Sequence, residues 1–259
     1  MGEFTRQLEA RHCVPVAFSV SEQEIKLAAD RFLKFLSLPD SIKRQLHFPA
    51  RVERASADGY TDKSDLNTKD PKQFFHWNPN LLVQPHCREL VEGHNEISNF
   101  FDSAAYLYGK IAEALYNVFN NHLPDYLHHL YDGKVLRDGT LRFLSYSPRS
   151  SHSFCAKAHF DKGFSTLAIG DSAPGLRIGC CDNHLLTEIF HQPGQALFMP
   201  GWMLYQASDG AIKPAWHDVV HSPGVQDVSP DCARWSIVFF TNCPSLNFSS
   251  WDELHRPLH

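Results

Sequence analysis

The chain has 259 residues, 43% of them hydrophobic and 20% charged, an ordinary globular usage that excludes disorder, collagen and coiled coil. Its net charge of −5 argues against a nucleic-acid-binding surface spread over the fold, so no nucleic-acid partner is expected. No run approaches the roughly 18 apolar residues of a membrane span, and Met1-Gly2-Glu3-Phe4-Thr5-Arg6 lacks the basic-then-apolar layout of a secretory signal. Seven cysteines with no C-x-x-C pair read as reduced thiols in a cytoplasmic protein. Sixteen histidines make a metal site worth seeking.

The first half carries helical periodicity. Ser21-x-x-Glu24 is a capping box, and Ile25, Ala28, Ala29, Phe32 and Leu36 repeat behind it at helical spacing. Leu38-Pro39-Asp40 ends that helix, with Asp40 placed to cap a short one through Leu46. From about Asp58 to Pro79 the chain reads as polar and irregular, with Gly59-Tyr60 and Asp70-Pro71 as turn signals. The longest helix follows, its stripe running from Ile97 through Phe100, Leu107 and Ile111 to Phe119. Pro124 starts or bends the next short segment.

After Gly133 the pattern changes to short strands between turns. The candidates are Thr140–Tyr146, Phe154–Phe160, Thr166–Ile169, Leu176–Ile178, Leu185–Phe190, Ala196–Met199, Ala215–Val220 and Trp235–Thr241. Eight such runs predict a sandwich or jelly roll. The organisation is a single domain: a helical part over 1–134, a jelly-roll core over 135–245 and a tail over 246–259.

His159-Phe160-Asp161 is the chemical candidate. On a strand, residues i and i+2 share a face, so an imidazole and a carboxylate would project together. With one distant histidine they make a two-histidine, one-carboxylate set that leaves positions open on iron(II). His94-Asn95-Glu96 has the same spacing but falls at a helix, where i and i+2 diverge. The third ligand comes from the strand half. His217 and His221 are four residues apart, an even offset, so both could face one side; His152, His184 and His191 compete. On the last strand Arg234 and Ser236 share a face and can hold one carboxylate by a guanidinium fork and a hydroxyl. Arg54–Ser56 and Arg149–Ser151 repeat that spacing in loop-like stretches. Trp202, Trp216 and Phe154 read as core packing rather than pocket walls.

Together these residues resemble the iron(II)- and 2-oxoglutarate-dependent dioxygenases, in the branch that includes isopenicillin N synthase. The family's H-x-D-x-G-x-x-T-L stands here as His159-Phe160-Asp161-Lys162-Gly163-Phe164-Ser165-Thr166-Leu167. Gly175-Leu176-Arg177-Ile178, Pro193-Gly194-Gln195-Ala196-Leu197 and the run from Ser208-Asp209-Gly210 to Trp216-His217 follow in the family's order. The helix ending in Phe35-Leu36-Ser37-Leu38-Pro39 and the Gly59-Tyr60 pair match more loosely.

The resemblance implies a mainly β fold with helices, a double-stranded β-helix (jelly roll) backed by N-terminal helices. It implies iron(II) on His159, Asp161 and His217, and 2-oxoglutarate as cosubstrate on Arg234 and Ser236. Dioxygen would be the oxidant, a small molecule the substrate, and succinate and carbon dioxide the co-products. Two alternatives accompany it, an iron oxidase that uses no 2-oxoglutarate and a non-enzymatic binding module. Four departures stand out. Asp218 replaces the usual arginine after the third ligand, Ser147 replaces the tyrosine before Pro148, a loop over Ser222–Ala233 is inserted, and the N-terminus is abbreviated.

Overall fold

The computed structural model describes residues 3–49, 57–64, 71–125, 127–128, 139–148, 154–179, 186–221 and 226–242. Helix α1 (Glu3–Arg11) leads into strand β1 (Val14–Ala17). Helix α2 (Glu22–Leu36) starts at the capping box: Ser21 Oγ accepts the Glu24 N–H, and the Glu24 carboxylate accepts the Ser21 N–H at 2.8 Å. The next turn differs from its reading. Helix α3 (Asp40–Lys43) is capped at Pro39 with no side-chain bond, because Asp40 pairs with Lys43 at 2.9 Å instead.

Two parts of the stretch read as irregular are strands. They are β3 (Asp58–Lys63) and β4 (Lys72–Trp77), with β2 (His47–Phe48) at the edge. Phe74, Phe75, His76 and Trp77 are all buried. A strand covered on both faces shows no polar–apolar alternation, which hides it from a periodicity search. The first half is therefore mixed rather than helical. Helices α4 (Pro85–Gly93) and α5 (Asn95–His122) complete it.

The eight strand-like runs of the second half all carry strands. They are β5 (Thr140–Tyr146), β6 (Phe154–His159), β7 (Ser165–Asp171), β8 (Leu176–Gly179), β9 (Thr187–Glu188), β10 (Gln195–Pro200), β11 (Trp216–Val220) and β12 (Arg234–Thr241). Helix α6 (Trp202–Ala207) interrupts them. The large sheet runs β1-β10-β7-β12-β5-β4-β3-β2 and the small one β6-β11-β8-β9. Strands β5 to β12 thus distribute between two facing antiparallel sheets as a double-stranded β-helix.

Alternation assigns the two faces of the large sheet different work. Leu141, Phe143, Ile237 and Phe239 point outward onto α2 and α5, joining Phe32, Phe35 and Phe100 in the main core. The other parity, including Arg142, Leu144, Tyr146, Arg234, Ser236 and Phe240, lines a cavity between the sheets. Among the described residues no helix is long and apolar enough to cross a membrane. Cys180, Cys181, Cys243, Arg54–Ser56, Arg149–Ser151, the tail 246–259 and 222–225 of the inserted loop lie outside the described residues.

Candidate active site

Pairing of β6 with β11 sets His159 opposite His217, with ring centroids 4.5 Å apart. Strand β6 ends at His159, so Asp161 lies in the loop beyond rather than on the strand. Its position comes from backbone clamps. Asp161 O accepts the Trp202 N–H at 2.8 Å, Gly163 O accepts the Met203 N–H at 3.1 Å, and Gly201 N–H donates to Phe164 O at 3.0 Å. These bonds need close approach. A Cβ on Gly201 would meet Gly163 O at 2.1 Å, and one on Gly163 would meet Thr241 O at 2.4 Å. The glycine of the H-x-D-x-G run therefore carries a packing constraint.

One ligand-type atom from each of His159, Asp161 and His217 lies within 4.8 Å of the others. His159 Nδ1 donates to Lys157 O at 2.6 Å and His217 Nδ1 to Ala215 O at 3.0 Å. Each Nε2 faces Asp161, at 3.7 Å in both cases. Thr166 Oγ1 donates to Asp161 Oδ2 and fixes the carboxylate. Burial and then the neighbouring His217 push His159 down to about 4. Burial pushes Asp161 up, but His217, His159 and the Thr166 hydroxyl outweigh it and hold the carboxyl below its usual range. Two imidazoles and one carboxylate are the donor set that suits iron(II) with open positions.

Arg234 and Ser236 line the same cavity. Arg234 is fully buried, donating from Nη2 to Asp171 Oδ2 at 2.6 Å and from Nε to Ala173 O at 3.0 Å. His191 Nε2 stands 3.5 Å from the same Asp171 oxygen. The inward tyrosine is Tyr146, its ring 5.9 Å from the Arg234 guanidinium. Ser147, which stands at the family's tyrosine position, is not among the cavity residues.

The remaining candidates separate cleanly. His221 follows the end of β11, outside the cavity lining, and His191 belongs to the Arg234 end. His152 and His184 lie outside the described residues. Trp202 and Trp216 pack with Phe160 in a separate cluster, and Phe154 is exposed. Sequence reasoning missed Asp171, Arg142 and His76. Arg142 faces inward, with His76 bonded to it, only because of cross-strand register, and no short motif marks them.

Residues 135–242 match the family model of the 2OG-Fe(II) oxygenase superfamily. Over that stretch the chain is similar to the members of that superfamily. Solved structures agree on the fold of the whole chain. A 2OG-Fe(II) oxygenase family protein from Caulobacter crescentus is 22% identical with a TM-score of 0.67, covering 98% of this chain and 90% of that one. A full-length protein of Neurospora crassa, solved in complex with alpha-KG, is 17% identical with a TM-score of 0.67, covering 97% and 84%. The dioxygenase for auxin oxidation of Arabidopsis thaliana, solved with 2-oxoglutarate, is 16% identical with a TM-score of 0.67, covering 97% and 93%. No curated protein matches the chain. The Asp218 departure has a counterpart across the ladder. Arg177 of β8 faces it in register and grips its carboxylate through Nε at 2.8 Å and through Nη2.

Proposed function

We propose that the protein is an iron(II)- and 2-oxoglutarate-dependent oxygenase of a small-molecule substrate, with His159, Asp161 and His217 as the metal ligands. The observation that carries this is the convergence of three ligand atoms within 4.8 Å, inside a stretch similar to the 2OG-Fe(II) oxygenase superfamily. Iron bound there together with 2-oxoglutarate supplies dioxygen activation for oxidising a substrate C–H bond, with succinate and carbon dioxide as co-products.

The chain's own residues do the holding and shielding. Lys157 O and Ala215 O orient the two imidazoles by accepting their Nδ1–H groups. The Thr166 hydroxyl and the Trp202 N–H hold Asp161 on its carboxylate and its carbonyl respectively. Arg234, with Ser236 beside it, receives the distal carboxylate of 2-oxoglutarate.

The experiment is iron content alongside succinate formation. Wild type should hold one iron(II) per chain and form succinate only when 2-oxoglutarate is supplied. Asp161→Ala should lose both. Iron-dependent oxygen uptake without 2-oxoglutarate would favour the oxidase alternative, and tight iron binding by Asp161→Ala would overturn the ligand set.

A further inference from the structure

A second arginine faces the cavity. Arg142 lies on the inward parity of β5, its guanidinium carbon 5.2 Å from the Phe74 ring and 4.7 Å from the Phe240 ring. His76 fixes its orientation. His76 Nδ1 donates to Ala57 O at 2.7 Å, so its Nε2 is unprotonated and accepts the Arg142 Nε–H. That uses one of five guanidinium donors. Among the described residues no acceptor takes the other four, and no carboxylate lies within 4.0 Å. Arg234 and Arg177 each have an acid, Asp171 and Asp218. Arginines withdrawn from water are paired with an anion as a rule.

Register places this arginine at the metal end of the cavity. Along β12, Arg234 pairs with Tyr146 and Val238 with Arg142, four residues apart. That is about 13 Å of strand. Phe240, which covers Arg142, pairs with Thr166, the residue bonded to Asp161. A five-carbon diacid spans at most about 6 Å between its end carbons, well short of that backbone separation. Lys72, Arg142 and Arg234 outnumber Asp161 and Asp171 in the lining, which favours an anionic occupant beyond the cosubstrate.

We propose that Arg142 is the substrate-recognition residue and that the substrate is an organic carboxylate, gripped by the free Nη groups of Arg142 beside His159, Asp161 and His217. The assignment of that carboxylate to a substrate rests on the oxygenase reading above. The clamp of Phe74, Phe240 and His76 pre-orients the fork, which is what bidentate carboxylate recognition requires.

The test is equilibrium binding to the full chain, without added metal and with 2-oxoglutarate saturating. The probes are acetate, isobutyrate and phenylacetate, each against its own amide. At least one acid should bind wild type more tightly than its amide, and Arg142→Met should reduce that preference on the order of 10- to 100-fold. Arg142→Lys should keep part of it, and it covers the case in which Arg142→Met fails to fold. Affinity for 2-oxoglutarate alone should stay within about twofold in Arg142→Met. Three results would overturn the proposal: no acid preferred over its amide in wild type, a preference surviving in both Arg142 variants, or a parallel loss of 2-oxoglutarate affinity, which would make Arg142 a cosubstrate residue. The measurement needs neither iron nor turnover. Failure to bind iron or form succinate would therefore sink the oxygenase reading without touching this result.

Discussion

Arg234 meets the cavity with its Nε and one Nη already committed to Ala173 O and Asp171. The other guanidinium N–H groups are what a distal carboxylate can use. Arg234→Lys keeps the charge but has no planar fork, so it cannot hold Asp171 and a carboxylate in the same geometry. Its affinity for 2-oxoglutarate should fall by about 1.5–3 kcal/mol, read by direct titration. Unchanged affinity would place the distal carboxylate elsewhere. At this scale the sequence was legible where chemistry is written at an offset of two. His159 with Asp161 and Arg234 with Ser236 could be read as pairs for that reason. Arg142 and His76 were not legible, since Arg142 faces the cavity, with His76 bonded to it, only once β4, β5 and β12 are aligned in register. Asp161 departs from the simple reading too: the spacing suggested a shared strand face, whereas loop clamps from α6 hold it.

Between β8 and β11 the family's arginine has become an acid with an arginine across from it. Asp218 is 2% exposed, and Arg177 covers it from a side chain a third exposed. Arg177→Leu would leave a buried carboxylate without its partner, which should cost about 3 kcal/mol, the low end for a broken buried pair because water can reach the vacated position. Combining it with Asp218→Leu should recover most of the loss, since replacing both charges removes the penalty of burying one alone. Chemical denaturation of the two single variants and the double closes the cycle. Full additivity would mean that the pair is not coupled. The same scale shows why whole elements differ in legibility. β5 to β12 are bounded by Pro-Gly and Asp-Gly turns and could be placed from sequence. β4 is buried on both faces and β3 contains a glycine at φ +75°, Gly59, so that hairpin carried turn signals without a strand period.

Across the whole molecule one sheet serves two purposes, and burial of histidine ties them to pH. Its outer face builds the aromatic core against α2 and α5, while its inner face carries the polar residues of the cavity. Polar groups set into such a layer must be neutral or paired. His76 is the clearest case: burial, then the positive charge of Arg142, pushes it well below its ordinary value, against a smaller upward pull from Ala57 O. Burial likewise lowers His12, helped by Lys213, and lowers His191 against the opposing pull of Asp171. An unfolded histidine titrates near 6.5. Below that value the unfolded chain takes up protons that the folded chain refuses, so stability is full above about pH 6.5 and falls as pH drops through it. The midpoint of thermal unfolding should therefore be lower at about pH 5.5 than at about pH 7.5. His76→Gln keeps an acceptor for Arg142 but has no proton to gain. Its midpoint should start lower at neutral pH and fall less between the two values. An unchanged pH difference in His76→Gln would mean that His76 takes up its proton in the folded state, and would remove the neutral acceptor on which the orientation of Arg142 depends.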